Sequence, residues 1–313
     1  MRLIVASLAP ALLLGGCMGR PALTSDVKMI GGSPAAAEVA SLVVKYATDS
    51  EWCSAALVSK HTLLTAGHCV VGGSYFKMPN IEPGAKMTVS WGGPEQERIL
   101  KMVTAKSVTP HPTWINKLDE LAQYVDWIHH TQDKTPNPRV KEVMQKGGIG
   151  QIAADTDGVY DVALIDLSED LPVDDLTLRI AKVAKAAPRV GDKIDVTGYG
   201  CRAIGGAGAA HVFMARKKIA VVNATNFIVP VSDATDAASP PAASEVCAGD
   251  SGGPAFRTGS SELVGVNSTE VARRDADGNP LPRPAADQAF LETQVARTDS
   301  IATWICGQTP GGC

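Results

Sequence analysis

Aromatic residues make up only 5% of this 313-residue chain, and no long run of basic side chains occurs in it. Both scarcities bear on nucleic acid. Without a basic stripe there is no electrostatic footprint for phosphates, and without clustered aromatics there is no platform for stacked bases. A net charge of −4 at pH 7 agrees with that exclusion. Histidine is scarce too, with six residues, none of them beyond His211. Two of these, His129 and His130, are adjacent and do not share a helix face, so no metal site is expected there. Asp275-Ala-Asp-Gly-Asn279 spaces its oxygens as a calcium loop does but lacks the later acidic ligand, so it reads as a turn. No cofactor is expected. The apolar run Leu3 to Leu14 is too short to span a membrane as a mature helix.

What the chain does have is enough apolar residues, 45% of the total, to fill a sizeable core. It is expected to form two packed units behind a leader. Residues 1–17 read as an export signal: an early arginine, the apolar run, then small residues before Cys17. The ending Leu14-Gly-Gly-Cys17 resembles a bacterial lipobox, which implies a lipid on Cys17 and a membrane-anchored protein of the cell envelope. The alternative is a plain secretory signal that happens to contain cysteine, giving a periplasmic or secreted protein. Residues 18–28 read as a tether or propeptide. Export implies an oxidising compartment in which the remaining cysteines can pair. From sequence alone, Cys201, Cys247, Cys306 and Cys313 allow three pairings.

The strongest chemical signal is Cys247-Ala-Gly-Asp-Ser-Gly-Gly-Pro254, a small hydroxyl in a run that lets the backbone turn sharply. Gly249 and Ser251 can aim two N–H groups at one point, as acyl transfer requires for its oxyanion. A serine hydroxyl is a weak nucleophile and requires a base, and the base requires a carboxylate to hold its tautomer. This stretch resembles the nucleophile loop of the chymotrypsin-like (trypsin-family) serine proteases. Leu64-Thr-Ala-Gly-His-Cys69 resembles the family's histidine motif, with His68 as base, and Asp161-Val-Ala-Leu-Ile165 resembles its aspartate motif. The order His68, Asp161, Ser251 agrees with that family. An α/β-hydrolase places its histidine after the serine, and here none follows.

The resemblance implies an all-β fold of two antiparallel β-barrels with the triad between them. The first barrel is expected over 29–187 and the second, with a short C-terminal helix, over 188–313. Short strands separated by glycine and proline agree, among them Leu42–Tyr46, Lys86–Trp91, Leu100–Val103, Lys193–Thr197, Lys218–Val222 and Asn226–Val229. Between His111 and Asp161 the family needs only a short connection, whereas this chain inserts residues 113–157. Trp114, Leu118, Leu121, Val125 and Ile128 recur at helical spacing there. That helix would pack on the first barrel, wall the cleft or bind a partner.

Further residue roles also follow from the resemblance. Cys53 pairs with Cys69, and pairings of Cys201 with Cys247 and Cys306 with Cys313 are favoured. Met29-Ile-Gly-Gly32 is similar to the start of an activated protease, so cleavage after Lys28 would free an amine to pair with Asp250; a cut before Ile30 is the alternative. Glu245 would form the base of the specificity pocket, with Ser268 and Glu270 at its wall and mouth. The expected function is a monomeric endopeptidase acting on proteins or peptides. The rival is a protease homologue that binds a partner without cleaving.

Overall fold

The computed structural model describes residues 32–48, 52–71, 81–92, 99–118, 158–174, 177–200, 211–230, 249–272 and 291–309. The first half is a closed six-strand barrel. Its strands are β2 (Val43–Ala47), β3 (Trp52–Ser59), β4 (Thr62–Thr65), β5 (Lys86–Trp91), β6 (Ile99–Pro110) and β7 (Ala163–Leu167), closed in the order β2-β3-β4-β7-β6-β5. β3 is buried along nearly its whole length. Apart from Ser54 and the terminal Ser59 it is apolar, because one face fills the barrel while the other meets the second half. The disulfide Cys53–Cys69 ties β3 to the turn after β4.

The second half is a nine-stranded sheet. It comprises β1 (Ser33–Pro34), β8 (Lys182–Val183), β9 (Lys193–Gly198), β10 (Phe213–Lys218), β11 (Val221–Val222), β12 (Asn226–Val229), β13 (Pro254–Arg257), β14 (Glu262–Ala272) and β15 (Leu291–Arg297). Its order is β1-β10-β9-β13-β14-β15-β12-β11, and β8 lies parallel to β14.

One expected strand is corrected. Lys218–Val222 is not continuous: β10 stops at Lys218 and β11 starts at Val221. The cause is the turn at Gly191-Asp192, whose N–H and C=O take the C=O and N–H of Ile219. With both groups of Ile219 used, the ladder breaks there. β13 and β15 were not legible beforehand. β13 has four residues, and β15 buries the polar Thr293 and Gln294 among its apolar ones, which defeats a simple alternation.

The termini cross over. β1 pairs with β10 of the second sheet. The C-terminal helix, Ala302–Gln308, follows a 3-10 turn and buries Ile301 and Ile305 in the core that also holds the first barrel's interior. Its Trp304 meets the His111 ring edge-on at 4.8 Å, and Tyr160 meets the same ring at 4.9 Å. Residues 112–118, the start of the insertion, are helical as expected from Trp114 onward; the rest of the insertion, with His129 and His130, lies outside the described residues. So does the turn at 275–279. Among the described residues, no helix is long and apolar enough to cross a membrane.

The contact at His111 predicts acid sensitivity. Its Nδ1 accepts the Thr113 main-chain N–H at 3.3 Å and lies 2.9 Å from the Thr113 hydroxyl. A proton on Nδ1 would displace the Thr113 main-chain N–H, and burial holds the ring below its ordinary value of 6.5. The unfolded chain therefore binds this proton first, so the stabilisation is full at higher pH and is lost as pH falls below 6.5. Melting curves between about pH 8 and about pH 5 are expected to show this loss in the wild type and a smaller one in His111→Gln. Equal acid slopes in the two proteins would rule out His111 as the cause.

Candidate active site

The site is assembled where β4 ends. After Thr65 the chain enters the 3-10 turn Gly67–Cys69, which presents His68. A side chain at Gly67 would stand 2.8 Å from the Trp114 ring and 3.0 Å from Asp161 Oδ1, so the turn closes only with glycine. Asp161, fully buried just ahead of β7, grips His68 twice. Oδ1 accepts the His68 main-chain N–H at 2.8 Å, and Oδ2 lies 2.7 Å from Nδ1. An ionised carboxylate can only accept, so Nδ1 carries the proton and the ring lone pair sits on Nε2. The Ser268 hydroxyl donates to the same Oδ2 at 2.6 Å.

The charges follow from this geometry. Burial alone would push the Asp161 carboxyl up, but the His68 charge and the hydrogen bonds from His68 and Ser268 hold it below its ordinary range. Burial likewise opposes a cation on His68. The Asp161 carboxylate outweighs it and raises the imidazole above 6.5.

The Gly249–Gly253 turn carries Ser251 to the same place. Gly252 has φ of +78°, and a Cβ there would run into the Thr65 hydroxyl and the Ser54 carbonyl. The turn is thus pressed against the end of the strand that leads into His68. The Ser251 carbonyl accepts the Ser54 N–H at 2.9 Å, and Gly252 and Gly253 pair with Asn267 on β14. Gly249 has φ of +96°. Among the described residues, the N–H groups of Gly249 and Ser251 have no acceptor, as donors kept for an oxyanion would require. Asp250 is fully buried, and its carboxylate accepts the Gly200 N–H at 2.7 Å. Any side chain on Gly198 or Gly200 would occupy the space of that carboxylate.

Ser268, expected at the wall of the specificity pocket, turns its hydroxyl toward Asp161. The pairing register shifts between Asn267 and Thr269, a bulge that leaves Ser268 as the extra residue and turns its side chain toward the carboxylate. Glu270, two residues on, is partly exposed and pairs with Thr293 of β15. Glu245, Lys28, Met29, Cys17, Cys201, Cys247 and Cys313 lie outside the described residues. Cys306 is in a disulfide.

Three features of the site were not anticipated from sequence. Trp114 packs edge-on to His68, with ring centroids 6.4 Å apart, and anchors its Nε1 on the Val71 carbonyl at 2.9 Å. Tyr46 reaches the Thr65 hydroxyl at 3.0 Å. Ser54 and Asn267 interrupt apolar strands, and that interruption was the available signal.

An imidazole oriented by a buried carboxylate, beside a glycine-bounded serine turn on a closed six-strand barrel and a nine-stranded sheet, defines a chymotrypsin-like arrangement. The Trypsin family model matches residues 29–285, most of the chain, and the chain belongs to that family. It is similar to the phenoloxidase-activating enzyme of Bombyx mori, with 27% identity over 193 residues. That match covers 50% of this chain and 43% of the relative, so the chain spans less than half of that protein's length. Its fold is similar to that of neuropsin, a serine protease expressed in the limbic system of mouse brain. The TM-score is 0.52 at 17% identity, covering 88% of this chain and 96% of that one. Human heparin binding protein matches with TM-score 0.53 at 15% identity, over 89% and 95% of the two chains.

Proposed function

We propose that the chain is a serine endopeptidase acting through an acyl-enzyme on Ser251. The observation that carries this reading is the single Asp161 carboxylate that bonds both the ring and the main chain of His68, beside the Ser251 turn. In the reaction His68 Nε2 takes the proton of the Ser251 hydroxyl as the oxygen attacks the scissile carbonyl. The Gly249 and Ser251 N–H groups hold the resulting oxyanion. The imidazolium then passes its proton to the leaving amine, the C–N bond breaks, and water repeats the sequence to release the acid.

The same proposal extends to processing. The protein is exported to a bacterial envelope, carries lipid on Cys17, and is cut after Lys28 so that the Met29 amine pairs with Asp250. Mass spectrometry of the mature protein after treatment with a serine-directed phosphonate tests these points together. The expected result is an adduct on Ser251, absent from Ser251→Ala, a lipid on a chain beginning at Cys17 before activation, and a terminus at Met29 in the active form. A folded, processed chain that takes no label would be the non-cleaving homologue instead.

For specificity, a carboxylate at Glu245 favours a basic residue before the scissile bond, because an unpaired buried charge is costly. Cleavage after Lys or Arg is expected in a peptide-library digest, with the preference weakened in Glu245→Ser. A taste for large apolar residues, unchanged in the variant, would show that Glu245 does not read the substrate.

A further inference from the structure

Three consecutive carbonyls of the nucleophile turn are each gripped from outside it. Ser54, fully buried on β3, donates its hydroxyl to the Gly249 carbonyl at 2.7 Å, and its N–H bonds the Ser251 carbonyl at 2.9 Å. The same hydroxyl accepts the Tyr199 N–H at 2.9 Å, so its proton is committed to Gly249. From the opposite side Asn267, fully buried on β14, donates Nδ2 to the Asp250 carbonyl at 3.2 Å and to the Thr197 carbonyl at 2.9 Å.

A trans peptide is planar, with C=O and N–H pointing in opposite directions. Holding the Asp250 carbonyl therefore fixes the direction of the Ser251 N–H, one of the two oxyanion donors. Holding the Gly249 carbonyl fixes the peptide plane that joins the other donor's residue to Asp250. Asn267 does this at a cost: its Oδ1 is buried with no hydrogen-bond partner among the described residues. An orphaned buried acceptor is destabilising by itself, and its neighbours along the strand, Val264 and Val266, are apolar and buried. Packing alone would favour an aliphatic residue at 267.

We infer that Asn267 and Ser54 are positioning residues of the oxyanion hole, one from each half of the molecule: Asn267 aims the Ser251 N–H by holding the carbonyl behind it, and Ser54 holds the peptides that follow both donor residues, at the Gly249 and Ser251 carbonyls. The inference rests on the protease reading above and deepens it.

The test uses Asn267→Leu and Ser54→Ala in the full chain, with active sites counted by phosphonate titration so that rates refer to folded enzyme. Leucine keeps asparagine's branching at Cγ, at a larger volume, and removes the orphaned oxygen with the amide, while the Asp250 carbonyl keeps the Gly253 N–H. Each variant is expected to lose about tenfold to a hundredfold in kcat, below the 10²- to 10³-fold cost of deleting a donor outright. KM should stay within about twofold. Affinity for a peptide aldehyde, whose hemiacetal oxygen takes the oxyanion position, should fall in step with kcat. A merely structural role would leave kcat per titrated site and aldehyde affinity unchanged, and that result in both variants would overturn the inference. A wild-type protein that neither hydrolyses peptides nor takes the phosphonate would overturn the protease reading itself, and this inference with it.

Discussion

Ser251→Ala and His68→Ala are each expected to cut kcat by about 10⁶-fold, and the double variant by little more, because nucleophile and base act as one unit. Neither change should unfold the protein. Ser251 is bound into its turn through its carbonyl, which the Ser54 N–H holds at 2.9 Å, so removing the hydroxyl leaves the turn's main-chain bonds in place. His68 likewise keeps its main-chain bond to Asp161 when the ring is lost. Steady-state hydrolysis of a peptide ester and a peptide amide, with far-UV circular dichroism as the control for folding, provides the check. Substantial turnover by a folded Ser251→Ala protein would rule out this mechanism.

Asp161→Asn is expected to lose about 10⁴-fold at neutral pH. An amide can present N–H to the ring, which then places its own proton on Nε2, where it cannot accept from serine. The pH profile separates this from simple damage. Activity needs neutral His68, and in the wild type that ring titrates above 6.5 because the Asp161 carboxylate outweighs the effect of burial. The acid limb of kcat/KM should therefore lie above 6.5 in the wild type and move to lower pH in Asp161→Asn, where burial remains without the compensating charge. Residual activity in the variant with an unmoved limb would mean that the limb does not report His68.

The three residues proposed as a triad stand out in the sequence because each lies in a short contiguous motif whose chemistry is local: a glycine turn for Ser251, a tight turn for His68, a strand head for Asp161. The closed first barrel was legible for a similar reason, since Lys86–Trp91 shows its strand character within six residues. What the sequence withheld depends on partners far along the chain. Ser54 and Asn267 look like ordinary polar interruptions until β3 and β14 bring them to the same turn. Ser268 has no local mark of a bulge, and its hydroxyl finds Asp161 only once the pairing of β14 with β15 slips there. His111 has no local mark of its role, because its aromatic neighbours, Tyr160 and Trp304, both lie far downstream.

The exchange of termini between the halves sets the order in which the molecule can be completed. β1 comes first in the chain yet has no partner until β10 exists. The C-terminal segment supplies Ile301 and Ile305 to a core whose first members are Ala35 and Ala40, near the other end of the chain. A polypeptide still being made can close its first barrel but cannot seat either end, and the turn that carries Ser251 arrives after β3 and before β14, the two strands whose residues hold it. On the proposed protease reading, the site is complete only once β14 has been made, so both halves are needed before it can act.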